Sequence, residues 1–144
     1  MALRIPKLIY AQIATHLEAA FPNEGGGLLL GDANGRQRNV RMILKLENRF
    51  TPEEQHNHYL LSAEDILAGE NAAEKHEIDV IGVFHSHPDH PAQPSDYDLE
   101  EAWPWWSYLI VSVHANGTGT ARSWLLSDDR TQFNEEGVTI QAGH

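Results

Sequence analysis

A chain of 144 residues can bury one full core but not two, and 41% apolar with 22% charged residues marks it as globular rather than disordered. It has no cysteine, which excludes disulfides, thiolate zinc ligands and a cysteine nucleophile. A formal charge of −11 argues against nucleic acid, which needs a concentrated positive surface; it suits a basic partner or a bound cation, or simply keeps the chain soluble. No apolar run approaches the ~20 residues of a membrane span, and the N-terminus lacks the apolar block of a secretory signal. A soluble, cytoplasmic protein without membrane contact is expected.

No repeat, low-complexity tract or composition break divides the chain, so residues 1–144 read as a single domain. Pro6 opens a first helix at a favoured position; Ile9, Ile13 and Leu17 fall four apart on one face, and Pro22 stops it. GGLLLGD (26–32) reads as a short buried strand and Asn34-Gly35 as a tight hairpin turn. The return strand NVRMILKLEN (39–48) alternates Val40, Met42, Leu44 and Leu46 against Arg41, Lys45 and Glu47. Ile43 interrupts the polar face, which implies that this face is covered too. Residues 49–61 form a polar loop that ends in a short strand around Tyr59–Leu61.

Ser62 and Asp65 have capping-box spacing for a second helix ending near His76. DVIGVF (79–84) is a near-continuous apolar run of strand length, which suits a central strand covered on both faces. A proline loop follows, then a short helix over 96–102. SYLIVSVH (107–114), ARSWLLS (121–127) and GVTIQA (137–142) are three further strands. The sum is α/β: roughly six strands in a mixed sheet, flanked by two main helices plus a short one.

Chemistry concentrates in VFHSHPDHPAQPSDYD, residues 83–98. Residues two apart in a strand share a face, so His85 and His87 can aim two nitrogens at one ion. Pro88 ends regular pairing, and ten residues on Asp98 can return a carboxylate. Two histidines and a carboxylate are a recurrent set for catalytic zinc, and the end of a central strand suits an active site. A bland account competes: Ser95 and Asp98 form a capping box that needs no metal. Asp89 and His90 read as loop residues, and the second His-x-His pair, His56 and His58, as solvated surface.

The string His85-Ser86-His87, seven residues, then Ser95-x-x-Asp98 resembles the signature of the JAMM (MPN-plus, Mov34-type) metalloproteases. PNEGGGLLLG supplies the upstream glutamate of that pattern, Glu24, with Gly27 and Gly31 where short bacterial members carry glycines. The resemblance runs from the first helix to the WSYLIVSV strand. One departure stands out: Gly26 occupies a position where small bacterial members often carry cysteine, although that residue is not a ligand in the family.

The resemblance implies an MPN/JAMM-like (cytidine-deaminase-like) fold and one Zn2+ per chain, held by His85, His87 and Asp98. It implies Glu24 as the general base that takes a proton from water and returns it to the leaving amine. Ser95 matches the serine whose hydroxyl supports the tetrahedral oxyanion. Ser86 points to the opposite face and reads as structural. Trp103, Trp105 and Trp106 read as core rather than as a substrate groove. Gly25 to Gly27 either admit a substrate backbone or form a flexible strand entrance.

The family cuts peptide or isopeptide bonds at the C-termini of ubiquitin-like proteins. This short chain resembles stand-alone bacterial members that process ubiquitin-like sulfur carriers at their Gly-Gly end. The implied partner is a ubiquitin-like protein with a C-terminal Gly-Gly tail, and a homodimer is one arrangement the sequence leaves open. Two other readings stay open: a binding module for such tails with structural zinc, and a zinc hydrolase of small amides. Glu24 speaks against the first, because a structural site needs no base.

Overall fold

The computed structural model of the chain describes residues 2–55 and 61–142. His56 and His58, and the strand expected at Tyr59 and Leu60, therefore lie outside the described residues; Leu61 belongs to no strand. Alternating apolar residues pair into seven strands among the described residues: β1 (Ala2–Pro6), β2 (Gly26–Asn34), β3 (Gln37–Leu46), β4 (Asp79–Pro88), β5 (Ser107–His114), β6 (Gly117–Leu126) and β7 (Phe133–Gln141). Three α-helices accompany them among the described residues, α1 (Lys7–Ala20), α2 (Ala63–Lys75) and α3 (Asp96–Glu101), with a short 3-10 turn at Pro52–Glu54. No helix among the described residues is long and apolar enough to cross a membrane.

The strands are ordered β1-β3-β2-β4-β5-β6-β7, and β7 pairs back onto β1. The sheet is mixed, as expected, with β4/β5 and both β1 pairings parallel. It is not the simple flanked sheet expected, however, because it closes on itself as a barrel. Closure depends on β1, which is not among the expected strands; the expected helix takes in only its last residue, Pro6. Pro6 is the last residue of this strand and the helix begins at Lys7. Leu3 and Ile5 are fully buried on either side of Arg4, a period-two pattern that five residues cannot display against the helical run that follows.

Two hydrophobic clusters divide the core by sheet face. The first joins Ile13 and Leu17 of α1 to buried residues of β1 to β5, including Leu29, Phe84, Leu109 and Val111, and Ala121 of β6 and Val138 of β7 pack against it. The second, Leu28, Leu30, Val80, Val83 and Tyr108, packs against Ala73 of α2. Simple alternation along β3 does not survive. The β2–β3 register passes from Leu30↔Met42 to Gly31↔Val40, so Arg41 bulges and Val40 turns to the first cluster while Met42 serves the second. Ile43 is covered by the first cluster, as its position implied. The hairpin turn is displaced by one residue: Asn34 pairs with Gln37, leaving Gly35 and Arg36 in the loop, with φ 65° at Gly35.

α2 begins as expected. The Ser62 hydroxyl accepts the Asp65 N–H at 3.0 Å, and the Asp65 carboxylate accepts the Ser62 N–H at 3.0 Å. Arg49 forks onto the same carboxylate, Nη2 to Oδ1 at 2.9 Å and Nε to Oδ2 at 3.2 Å, tying the loop after β3 to α2. The Arg49 bond outweighs burial and holds the Asp65 carboxyl below its ordinary pKa. A depressed folded-state pKa contributes stability above the unfolded value and loses it as pH falls through the folded one. Asp65→Asn is expected to cost about 1–2 kcal/mol in urea unfolding at pH 7, with the gap from wild type narrowing below about pH 4. A gap independent of pH would contradict the ion-pair account.

Candidate metal centre and the cavity beside it

The last turn of α1 and the start of β2 meet the end of β4. Gly25 and Ser86 exchange two bonds: Gly25 N–H to Ser86 Oγ at 2.9 Å, and Ser86 N–H to Gly25 O at 3.0 Å. Ser86 thus points away from its two histidine neighbours, as the strand period required. A Cβ on Gly25 would stand 2.7 Å from the Ala20 Cβ, so only glycine fits this junction. A Cβ on Gly27 would likewise collide with the Leu44 carbonyl and stand 2.8 Å from the Phe84 ring. These two glycines serve the chain's own packing.

The junction carries Glu24 to the histidines. Its backbone is pinned by N–H to Gln55 O at 2.6 Å and by Asn48 Nδ2 to its carbonyl at 3.0 Å. Gly26 pairs with His85 in the ladder. Glu24, His85 and His87 are all buried, and their ligand atoms lie within 4.8 Å of one another. Sequence spacing could not place Glu24, because the approach depends on the β2–β4 register.

Asp98 completes the cluster from the first turn of α3. Ser95 caps that helix: its Oγ accepts the Asp98 N–H at 3.1 Å, and its N–H donates to Asp98 Oδ2 at 2.8 Å. The metal and capping readings of Asp98 are thereby compatible. Oδ2 lies 3.1 Å from His87 Nε2, Oδ1 lies 3.3 Å from His85 Nε2, and the two Nε2 atoms are 3.2 Å apart. Donors held ~2.1 Å from one tetrahedral ion stand roughly 3.4 Å apart, and these contacts, made through both Asp98 oxygens, come close to that spacing. His87 Nδ1 is 3.0 Å from the Pro91 carbonyl, which can only accept; the ring therefore donates there and turns its Nε2 lone pair to the cluster.

The electrostatics agree with a cation site. Burial opposes a charge on His85, but the carboxylates of Asp98 and Glu24 outweigh it and raise its pKa. Burial likewise opposes the Asp98 charge, but the two imidazoles hold its carboxyl well below the carboxylate range. Ser95 is exposed and joins the cluster only through its cap on Asp98. Asp89 and His90 sit on the exposed loop, as expected.

A cavity of about 240 Å3 opens beside this cluster, with His85 and Asp98 in its wall and Leu61, Ile66, Val83, Tyr97, Trp103 and Tyr108 around it. The tryptophan reading needs correction here. Trp106 packs on the second core cluster, but Trp103 and Trp105 are 57% and 53% exposed. Trp103 is held at the cavity mouth by its N–H, which donates to the Tyr108 hydroxyl at 2.6 Å, while Arg130 donates to the Ala102 carbonyl at 3.1 Å. Burial and the Glu101 charge push Tyr97 up to about 12, so its phenol stays protonated. The cavity draws on α2, α3, β4 and β5, and no motif encodes it. Its one local signal is WPWW (103–106), whose Pro104 bars α3 from continuing.

Comparison with known proteins agrees with this geometry. The family of prokaryotic homologs of the JAB domain matches residues 6–127. A desampylase of Haloferax volcanii is 35% identical over 121 residues, covering 83% of this chain and 80% of its own. A probable TtuB-protein conjugate cleaving protease of Thermus thermophilus is 29% identical over 128 residues, covering 89% and 78%. Among solved structures, protein DSY2949 of Desulfitobacterium hafniense superposes with a TM-score of 0.85 at 29% identity, over 98% of this chain and 94% of that one. A Salinibacter ruber protein gives 0.74 at 38% identity, over 96% and 91%.

A closed mixed sheet with a His-x-His pair ending its central strand, matched along most of its length to such relatives, defines a hydrolase of the peptidase class. The chain belongs to the prokaryotic JAB-domain family, the JAMM/MPN proteases.

Metal analysis of dialysed protein is expected to find about one equivalent of Zn2+ in the wild type and almost none in His87→Ala. Full retention by that variant would move the ligands elsewhere.

Proposed function

We propose that residues 1–144 act as a single-domain, zinc-dependent peptidase or isopeptidase of the cytoplasm. It hydrolyses the amide bond after the C-terminal Gly-Gly of a ubiquitin-like protein, most simply a sulfur carrier. The observation that carries this reading is the convergence of Glu24 on His85 and His87 within 4.8 Å. Three donors suffice to hold an ion; a further buried carboxylate beside them is what proton transfer needs.

In this reading His85, His87 and Asp98 hold Zn2+, which when bound supplies Lewis acidity that acidifies water and polarises a carbonyl. Glu24 takes the proton of the attacking water on its carboxylate and delivers it to the leaving amine. Ser95 uses a lone pair to cap Asp98, which leaves its proton to donate to the developing oxyanion. The narrow cavity lined by Leu61, Ile66 and Trp103 receives the tail, and residues without side chains, Gly-Gly, suit a passage so close to His85. A relative named for cleaving TtuB-protein conjugates supports a protein conjugate as substrate over a small amide. Glu24 weighs against a mere binding module with structural zinc.

Glu24→Gln separates these readings. The variant is expected to keep zinc and its melting temperature while hydrolysing Gly-Gly-extended carrier proteins at least about 100-fold more slowly, read by intact mass. Unchanged hydrolysis would overturn the assigned base. Trp103→Ala is expected to raise KM about 5- to 30-fold with kcat and zinc content near wild type. An unaltered KM would remove the cavity from substrate binding.

A further inference from the structure

The loop after β4 is held at three successive carbonyls, and the middle one orients a metal ligand. His90 O accepts the Ser112 hydroxyl at 2.7 Å, Pro91 O faces His87 Nδ1 at 3.0 Å, and Ala92 O accepts the Trp124 indole N–H at 3.0 Å. Ser112 lies on β5 directly beside His87, and Trp124 lies on β6. The two outer bonds therefore reach across two strands to fix the peptide units flanking Pro91. We propose that Ser112 and Trp124 are positioning residues of the metal centre: they hold the Pro91 carbonyl where it orients His87. This rests on the zinc reading of the cluster.

Three observations favour this role. A backbone carbonyl has no side chain of its own to lock it, so its orientation depends on the bonds made by its neighbours. The loop also starts from a strained residue, Asp89 at φ 56°, and has few other anchors: Asp89 N–H to Val113 O at 2.8 Å and His90 N–H to His87 O at 3.4 Å. Finally, Ser112 is itself oriented. His114 Nε2 stands 3.0 Å from its Oγ, and His114 Nδ1 stands 3.1 Å from Asp89 Oδ1.

The line Asp89–His114–Ser112 has the spacing of a nucleophilic triad. Its serine is 5% exposed, however, and already donates its proton to the His90 carbonyl. A nucleophile must present its oxygen to substrate, and this one is walled in. The same geometry serves a clamp: the hydroxyl proton is directed to the His90 carbonyl, and the serine oxygen is flanked by the His114 ring.

Outer partners of metal-bound histidines typically contribute 10- to 100-fold in affinity. The test compares wild type, Ser112→Ala, Trp124→Phe and the double variant, with Zn2+ affinity from chelator competition and the ligand-field spectrum of the Co2+-loaded protein. Trp124→Phe removes the donor and keeps a ring in the core. Each single change is expected to weaken Zn2+ about 3- to 10-fold and the double change about 10- to 100-fold, with an altered Co2+ spectrum. Ser112→Thr is expected to restore both. Apoprotein melting temperatures control for lost folding. Wild-type affinity and spectrum in a folded double variant would overturn the clamp while leaving the metal site standing. A wild type that binds no Zn2+ would overturn both.

Discussion

Gly25 and Ser86 exchange two hydrogen bonds where β2 meets the end of β4, and the site is assembled around that exchange. It sets the register in which Gly26 faces His85, turns the Ser86 side chain away from the two imidazoles, and leaves Glu24 directed at them. The close approach of Gly25 to Ala20 locks α1 into the same junction. A side chain at position 25 would have to push α1 off the strand, and the first core cluster, which rests on Ile13 and Leu17, would move with it. Core packing and site geometry are thus set at one place.

The cluster gathers two imidazoles and two carboxylates in a buried space, where unpaired charge is costly. Each group makes sense in the presence of positive charge. Asp98 is held ionised by the imidazoles, and His85 is held towards protonation by the carboxylates. A divalent ion satisfies all of them at once. The supporting bonds involve backbone throughout: the Glu24 main chain is held by Gln55 and Asn48, while the Asp98 and His87 side chains meet main-chain groups of Ser95 and Pro91. Main-chain partners confine the Asp98 and His87 side chains to the motion of the helix cap and the loop after β4.

What the sequence revealed was local. The His-x-His pair and the Ser62/Asp65 and Ser95/Asp98 boxes depend on residues within three positions of one another, and strand β5 on one unbroken run; all stand where the pattern put them. What it concealed depends on pairing across the chain. β1 is a strand only because β3 and β7 flank it, and Val40 changes face only because Arg41 bulges against β2. Three tryptophans in four residues look like core by composition; Trp103 and Trp105 are exposed because Pro104 ends α3 and the loop turns outward. Glu24 became interpretable through family resemblance, since spacing alone could not set it against His85.

The central claim is a division of labour: His85, His87 and Asp98 bind the ion, and Glu24 stands beside it as a base. Zinc K-edge absorption on the loaded wild type and on Glu24→Gln tests that division most directly. The account predicts the same coordination in both, with two imidazoles and oxygen donors. Loss of zinc, or of an oxygen ligand, in Glu24→Gln would make Glu24 a ligand and contradict it.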